Sequence, residues 1–90
     1  MNINIEKIVK IYGEEYINLI KENIDDIHLN INTLINLGFN DIEDIFERVT
    51  PIFINDNKKF IEEINGLIAK IGSDYVNIIE SDLGLLEELE

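Results

Sequence analysis

The chain has 90 residues, 46% of them apolar, and 19 Asp and Glu against seven Lys and Arg give a formal net charge of −12. This length is typical of one domain, so we expect residues 1–90 to form a single domain. The charge opposes binding to phosphate backbones and anionic lipid surfaces and favours basic protein partners, so direct nucleic-acid binding is not expected.

The chain contains no Cys and no run approaching 18 apolar residues. Disulfides, thiolate chemistry and a membrane span are therefore not expected, and a reducing cytoplasm is the expected location. The first residues, MNINIEKIVKIYG, lack the basic and apolar regions of a signal peptide.

Apolar residues recur with helical spacing along nearly the whole chain. A stripe over residues 5–12 predicts a first short helix that Asn4 caps and that Gly13 ends with a positive φ. A second stripe has gaps of three and four residues and stops at Leu37-Gly38. Its members are Ile17, Ile20, Ile24, Ile27, Ile31 and Leu34.

The residues after Gly38 have the features of a helix start. Asn40 stands at the N-cap position with Glu43 three residues later, as in a capping box, and the acidic residues suit the positive end of the helix dipole. Thr50-Pro51 predicts the end of this helix, because the residue before proline is disfavoured in the α region. The run from 51 to 54 predicts a turn or a one-turn helix.

The remaining chain predicts a helix capped by Asn55 or Asp56 and ended by Gly72, then a helix capped by Ser73, then a last amphipathic turn or two over residues 83–89. Gly66 lies inside the first of these helices and costs up to about 1 kcal/mol relative to Ala, which predicts a close helix crossing there. The expected fold is all-α, with five to six short helices packed as helical pairs in a small repeat-like or globular bundle.

The pattern Gly-x-x-x-Φ-x-x-Φ, where Φ is aliphatic, occurs three times. Its members are Gly13/Ile17/Ile20, Gly38/Ile42/Ile45 and Gly72/Val76/Ile79. We interpret each copy as a helix that ends at glycine, followed by a turn and a helix with two aliphatic residues towards the core. Spacings of about 25 and 34 residues are typical of helical-hairpin arrays.

The second unit runs from Leu37-Gly38-Phe39 through an acidic start at 40–45 and Pro51-Ile52-Phe53 to a longer helical stripe ending at Ile71-Gly72. This order resembles the repeat of the mitochondrial transcription termination factors. The resemblance implies a curved all-α stack of helix pairs that holds nucleic acid on a basic concave face. Lys and Arg are scattered in this chain, so we expect only the paired-helix geometry to apply and transfer no nucleic-acid-contacting residue.

No set of residues predicts catalysis or a cofactor. His28 is the only histidine and has Asp25 three residues before it, which is too few ligands for a closed zinc site. No carboxylate pair, serine or glycine-rich loop has the partners that acid–base, nucleophilic or phosphate chemistry needs. We therefore expect a protein that is not an enzyme and that needs no metal.

The expected function is a small acidic protein–protein interaction module, with a homodimer as one form of self-association. An apolar stripe near the C-terminus would anchor a basic partner, and a carboxylate rim would steer it. The proposed stripe is Leu83, Leu86 and Leu89, and the proposed rim is Glu43, Asp44, Glu47, Glu62 and Glu63.

Three alternatives remain open. One is an ordinary solvated acidic surface, and another is a nucleic-acid-binding repeat protein. The third is an acidic mimic of nucleic acid, which requires most carboxylates on one continuous face. That face would combine Asp25, Asp26, Glu43, Asp44, Glu47, Glu62, Glu63, Glu80 and Asp82.

Overall fold

Residues 5–89 are described in the computed structural model, and all of their regular secondary structure is helical. The eight helices of this part of the chain are α1 (Ile5–Tyr12), α2 (Glu15–Glu22), α3 (Ile24–Asn36), α4 (Ile42–Arg48), α5 (Thr50–Phe53), α6 (Asn57–Ile71), α7 (Tyr75–Ser81) and α8 (Gly84–Glu87). The all-α expectation is confirmed, and the expected count of five to six helices is wrong.

Two breaks account for the larger count. The stripe from Ile17 to Leu34 is divided at Asn23, whose φ of −116° and ψ of 20° leave the helical region and whose side-chain amide donates to the Leu19 carbonyl at 2.8 Å. The second break lies at Val49, where φ is −128° and ψ is 40°. Pro51 then stands in the first turn of the one-turn helix α5, a position in which its missing N–H costs nothing.

Helix α3 occupies the centre of the fold and contacts α2, α4, α5 and α6. Helix α1 packs on α2, and α7 packs on α6. The radius of gyration of 12.6 Å is close to the value of about 12 Å expected for a compact domain of this length. The helices therefore enclose one core around α3, and no helix within residues 5–89 combines enough length and apolar character to cross a bilayer.

Three phenylalanines form the middle of the core. The ring centroids of Phe46 and Phe53 are 5.1 Å apart in an edge-to-face arrangement, and those of Phe53 and Phe60 are 5.6 Å apart. All three side chains are buried, and they come from α4, α5 and α6. Edge-to-face packing of this kind adds about 0.5–1.5 kcal/mol to the burial energy.

Asn30 is the one fully buried amide side chain among the described residues, and it fixes the α5–α6 connection. Its Nδ2 donates to the carbonyls of Phe53 at 2.8 Å and Asn55 at 2.9 Å, and its Oδ1 accepts from Nδ2 of Asn57 at 2.9 Å. A buried polar group is tolerated when its hydrogen bonds are made, as they are here.

Gly38 ends α3 in a Schellman motif. Its N–H donates to the Ile35 carbonyl at 3.0 Å, and the Phe39 N–H donates to the Leu34 carbonyl at 3.2 Å. The φ of 97° at Gly38 is in the region that favours glycine. Gly13 and Gly72 have nearly the same φ, 93° and 97°, so the three glycines of the repeated pattern all end helices with a positive φ, as expected at Gly13.

Of the three predicted N-cap positions within the described residues, one is confirmed. The Asp56 carboxylate accepts from the Lys59 N–H, as predicted for the start of α6. Asn40 and Ser73 are not the N-cap residues, because α4 begins after Asp41 and α7 begins after Asp74, neither of which makes a side-chain cap. Asn4 lies outside the described residues.

Candidate functional site

Positive charge is absent from two long segments of the chain. Residues 22–47 contain seven carboxylates, residues 71–90 contain six, and neither segment contains Lys or Arg. The other two segments, 1–21 and 48–70, have net charges of 0 and +1, so the two acidic segments contribute −13 to the total of −12.

The fold brings these two acidic segments together where α7 meets the start of α4. The Tyr75 hydroxyl donates to the Leu37 carbonyl at 2.6 Å. One Oε of Glu80 accepts from the backbone N–H groups of Asn40 at 3.1 Å and Asp41 at 3.2 Å. Glu80 thereby binds the N–H groups before α4, the place that the sequence assigned to a local cap.

The environment of Glu80 lowers its pKa. Partial burial raises the pKa, but the hydrogen bonds from the Asp41 and Asn40 N–H groups and from the Asn40 amide favour the ionised form and outweigh it. Glu80 is therefore a charged structural link between the two acidic segments.

Several carboxylates of the predicted rim have partners within the chain. Glu47 pairs with Lys7 at 3.2 Å, which joins α1 to α4, and Asp44 pairs with Arg48 at 3.1 Å on the surface of α4. Glu63 lies 3.9 Å from Lys59. Glu43 and Glu62 are exposed on α4 and α6. The rim residues are therefore spread over two helices and do not form one set.

A groove of about 280 Å³ lies between α6 and the C-terminal segment. Its apolar lining is Leu67 from α6 with Leu85 and Leu89 from the end of the chain, all of them partly buried. Its charged lining is Glu63, Lys70 and Glu88, and Gly66 completes it. We refer to these seven residues as the Gly66 groove.

Gly66 has no packing partner that explains it. A Cβ placed on this residue would meet no heavy atom within 4 Å outside its immediate neighbours, so no other described helix crosses there. The expected close crossing is thus absent within the described chain. Gly66 also has ordinary helical geometry, so the glycine costs about 0.5–1 kcal/mol relative to Ala without serving the fold.

The C-terminal leucines have different environments. Leu86 is fully buried, with 0% of its side chain exposed, and belongs to the core. Leu83 and Leu89 are partly buried and pack against that core. The three leucines therefore do not present one open stripe, and within this set only Leu89 lines the groove.

No metal site is formed by the described residues. His28 is exposed on α3, and within residues 5–89 no three His, Cys, Asp or Glu side chains lie close enough to hold an ion. A second hollow of about 370 Å³ is lined by Tyr12, Arg48 and Glu87 together with the α4–α5 junction. Tyr12 donates to the Arg48 carbonyl there at 3.1 Å, which makes it part of the contact between α1 and α4.

The sequence contained an indication for two residues, Asn30 and Glu80, whose contacts were not predicted. Asn30 lies three residues after Ile27 and four before Leu34, so helical spacing places it on the core face. Glu80 lies four residues after Val76, so it shares the inward face of α7. A polar residue on an apolar face needs a partner, but spacing alone does not identify that partner.

Comparison with protein-family models, with curated proteins and with solved structures found no match to this chain.

Proposed function

We propose that the protein is a small acidic interaction module that binds a basic protein partner. The single observation that supports the proposal most strongly is the contact between the two acidic segments through Glu80 and Tyr75. This contact brings together negative charge from α3, α4 and α7, in two segments, 22–47 and 71–90, that contain no Lys or Arg. Lys7 and Arg48, from outside these segments, offset part of that charge at Glu47 and Asp44. A field of one sign accelerates encounter with basic partners and repels nucleic acid.

The internal contacts of the acidic residues favour this proposal over a nucleic-acid mimic. A mimic needs carboxylates that are available to its target at regular spacing. Of the nine carboxylates considered for such a face, at least six accept hydrogen bonds or form ion pairs within the chain, and one of them is Asp82, which accepts from the Gly84 N–H at 3.2 Å. The other five are Asp26, Asp44, Glu47, Glu63 and Glu80.

The proposal does not depend on the resemblance to the mitochondrial transcription termination factors. The unit from Leu37 to Gly72 contains α4, the proline-started α5 and the longer α6, which is the expected order of elements. The basic face on which that family holds nucleic acid has no counterpart in the acidic segments. A paired-helix scaffold carrying the opposite charge is consistent with binding to a protein.

Two double variants with the same change in net charge test the proposal. Glu22→Lys/Asp25→Lys alters an acidic segment, and Glu14→Lys/Glu15→Lys alters the near-neutral segment 1–21. All four residues are exposed, and Asp25 and Glu15 both lie in the first turn of a helix, where Lys opposes the helix dipole. Glu14 precedes α2 and Glu22 is its last residue, so the melting temperatures of both variants are measured to separate binding from stability.

The immobilised full chain and both variants are compared for proteins that they retain from cell lysate, with nuclease present and salt used for elution. We expect basic proteins that are retained by the unsubstituted chain and by Glu14→Lys/Glu15→Lys, released by salt, and lost with Glu22→Lys/Asp25→Lys. Equal retention by the two variants, or retained partners that are neutral or acidic, would contradict the proposal. Light scattering of the purified chain measures self-association separately.

A further inference from the structure

The Gly66 groove contains a feature that the fold does not explain. Gly66 is the tenth residue of the 15-residue helix α6, and its φ is not positive. Its backbone conformation can therefore be adopted by any residue except proline, and glycine lowers helix stability there relative to Ala. Outside its immediate neighbours, no described heavy atom lies within 4 Å of the position that a Cβ would take there.

A glycine on a helix surface permits close approach of another backbone. Helices pack with axes 8–10 Å apart, and the short distances require small side chains at the crossing. The apolar residues Leu67, Leu85 and Leu89 beside Gly66 supply surface that a second helix would bury. The groove thus combines an unoccupied crossing point with partly buried leucines on both sides.

The secondary structure of the occupant follows from the backbone of this chain. A β-strand binds by adding to a sheet edge, and residues 5–89 form no sheet. The N–H and C=O groups within α6 are satisfied by the helix itself, so they offer no ladder to a strand. A helix needs no backbone partner and can bury an apolar ridge in the groove.

The charge of the occupant follows from the residues around the groove. Glu63 lines it from α6 and Glu88 from the C-terminal segment, with Lys70 as the one cation among the lining residues. The exposed residues Glu62 and Glu87 adjoin these two carboxylates in the chain. Lys59 lies 3.9 Å from Glu63, so four carboxylates face two cations in and beside the groove. A second copy of the chain would bring a further net charge of −12, whereas a cationic helix is attracted.

We propose that the Gly66 groove binds a cationic amphipathic helix of the partner protein, which crosses α6 at Gly66 and packs its apolar face on Leu67, Leu85 and Leu89. This inference rests on the proposed function and adds the location of the contact and the structural class of the partner segment. It assigns the apolar anchor to the groove instead of to Leu86.

The test uses the full chain and a labelled synthetic peptide of about 18 residues, long enough for five helical turns, with Leu at helical spacing and Lys elsewhere. A peptide of the same composition without helical periodicity is the control for charge. Binding is followed by fluorescence anisotropy. We expect the amphipathic peptide to bind about tenfold more tightly than the control peptide, because only it presents an apolar face.

Three variants locate the contact. Gly66→Ala places a methyl group in the groove and should weaken amphipathic-peptide binding about fivefold, and Gly66→Leu should weaken it at least tenfold. Asn65→Ala is the matched control, because Asn65 is the exposed neighbour on the same helix, and binding should stay within about twofold. Both Ala variants should raise the melting temperature, by about 4 °C for Gly66→Ala, so weaker binding cannot be attributed to unfolding.

The outcomes separate this inference from the proposed function. If Gly66→Ala and Asn65→Ala bind the peptide equally, or if both peptides bind with the same affinity, the groove assignment is wrong while the acidic-surface proposal stands. If neither peptide binds the unsubstituted chain at low salt, both are wrong.

Discussion

The Asn30→Ala substitution is the sharpest test of the fold. It removes the donor to the Phe53 and Asn55 carbonyls and the acceptor for the Asn57 amide. The first of these bonds is buried and costs about 1–3 kcal/mol when its partner is left unsatisfied, and the two partly buried bonds cost about 0.5–1 kcal/mol each. We therefore expect a loss of about 2–5 kcal/mol from a total stability of about 5–13 kcal/mol for a chain of this length.

The measurement is urea unfolding followed by circular dichroism at the helical band, with Asn32→Ala as the matched control. Asn32 lies on the same helix and is exposed, so its replacement should change the free energy of unfolding by no more than about 0.5 kcal/mol. Asn30→Leu separates polarity from volume, because Leu fills the space and still leaves the carbonyls without a donor. A cost for Asn30→Ala within about 0.5 kcal/mol of the control would refute the assigned role.

Three further predictions concern the contacts that join the helices. Glu80→Gln should lower the free energy of unfolding by about 1 kcal/mol at pH 7, because its carboxylate accepts two backbone hydrogen bonds. The folded-state pKa of Glu80 is lowered, so this stabilisation is present above the ordinary glutamate pKa of about 4.3 and is lost as the pH falls through the folded-state value. In unfolding measurements at several pH values, with Glu22→Gln as the control, the stability difference between wild type and Glu80→Gln should disappear on acidification. A difference that stays constant with pH would contradict the assignment. Gly38→Ala should lower the free energy of unfolding by about 1–2 kcal/mol in thermal unfolding, because φ is 97°. The cost would come from the backbone and not from a clash, since the nearest atom to the new methyl group would be at an ordinary 3.9 Å. A variant as stable as wild type would show that the backbone relaxes. Tyr75→Phe should cost about 1 kcal/mol in urea unfolding and leave the helix content unchanged, since it removes only the hydroxyl that donates to Leu37; a drop in helix content would mean that the ring contact depends on that bond.

The spacing of apolar residues predicted a helix well where one apolar stripe was bounded by a capping residue and a glycine. The helix from Asn57 to Ile71 begins after the predicted cap Asp56 and ends at Gly72, and the one-turn helix at Pro51 was one of two expected forms. The stripe from Ile17 to Leu34 failed as a single helix, because spacing records which residues face the core and not whether the backbone between them is continuous. A kink at Asn23 keeps both halves of the stripe on the core, so the apolar pattern hides it.

The candidate site was predicted less well than the fold. The C-terminal leucine stripe included Leu89 and the proposed carboxylate rim included Glu63, and both residues line the Gly66 groove. The stripe, however, gave Leu86 the same status as Leu89. Leu86 is buried because the one-turn helix α8 folds back onto the core, and a short helix end has no stable direction until it docks.

The amino-acid sequence by itself determined the all-α class, the net charge, the two segments without cations and the glycines that end helices, because these depend on composition, local spacing and single-residue backbone preferences. Only the tertiary structure decided that Glu80 binds the N–H groups before α4, that Asn30 holds the α5–α6 connection and that Gly66 faces open space. The contacts of Glu80 and Asn30 join residues up to 40 positions apart. The packing of the helices sets which side chain reaches which backbone group and which surface stays open, and no local stretch of sequence contains that information.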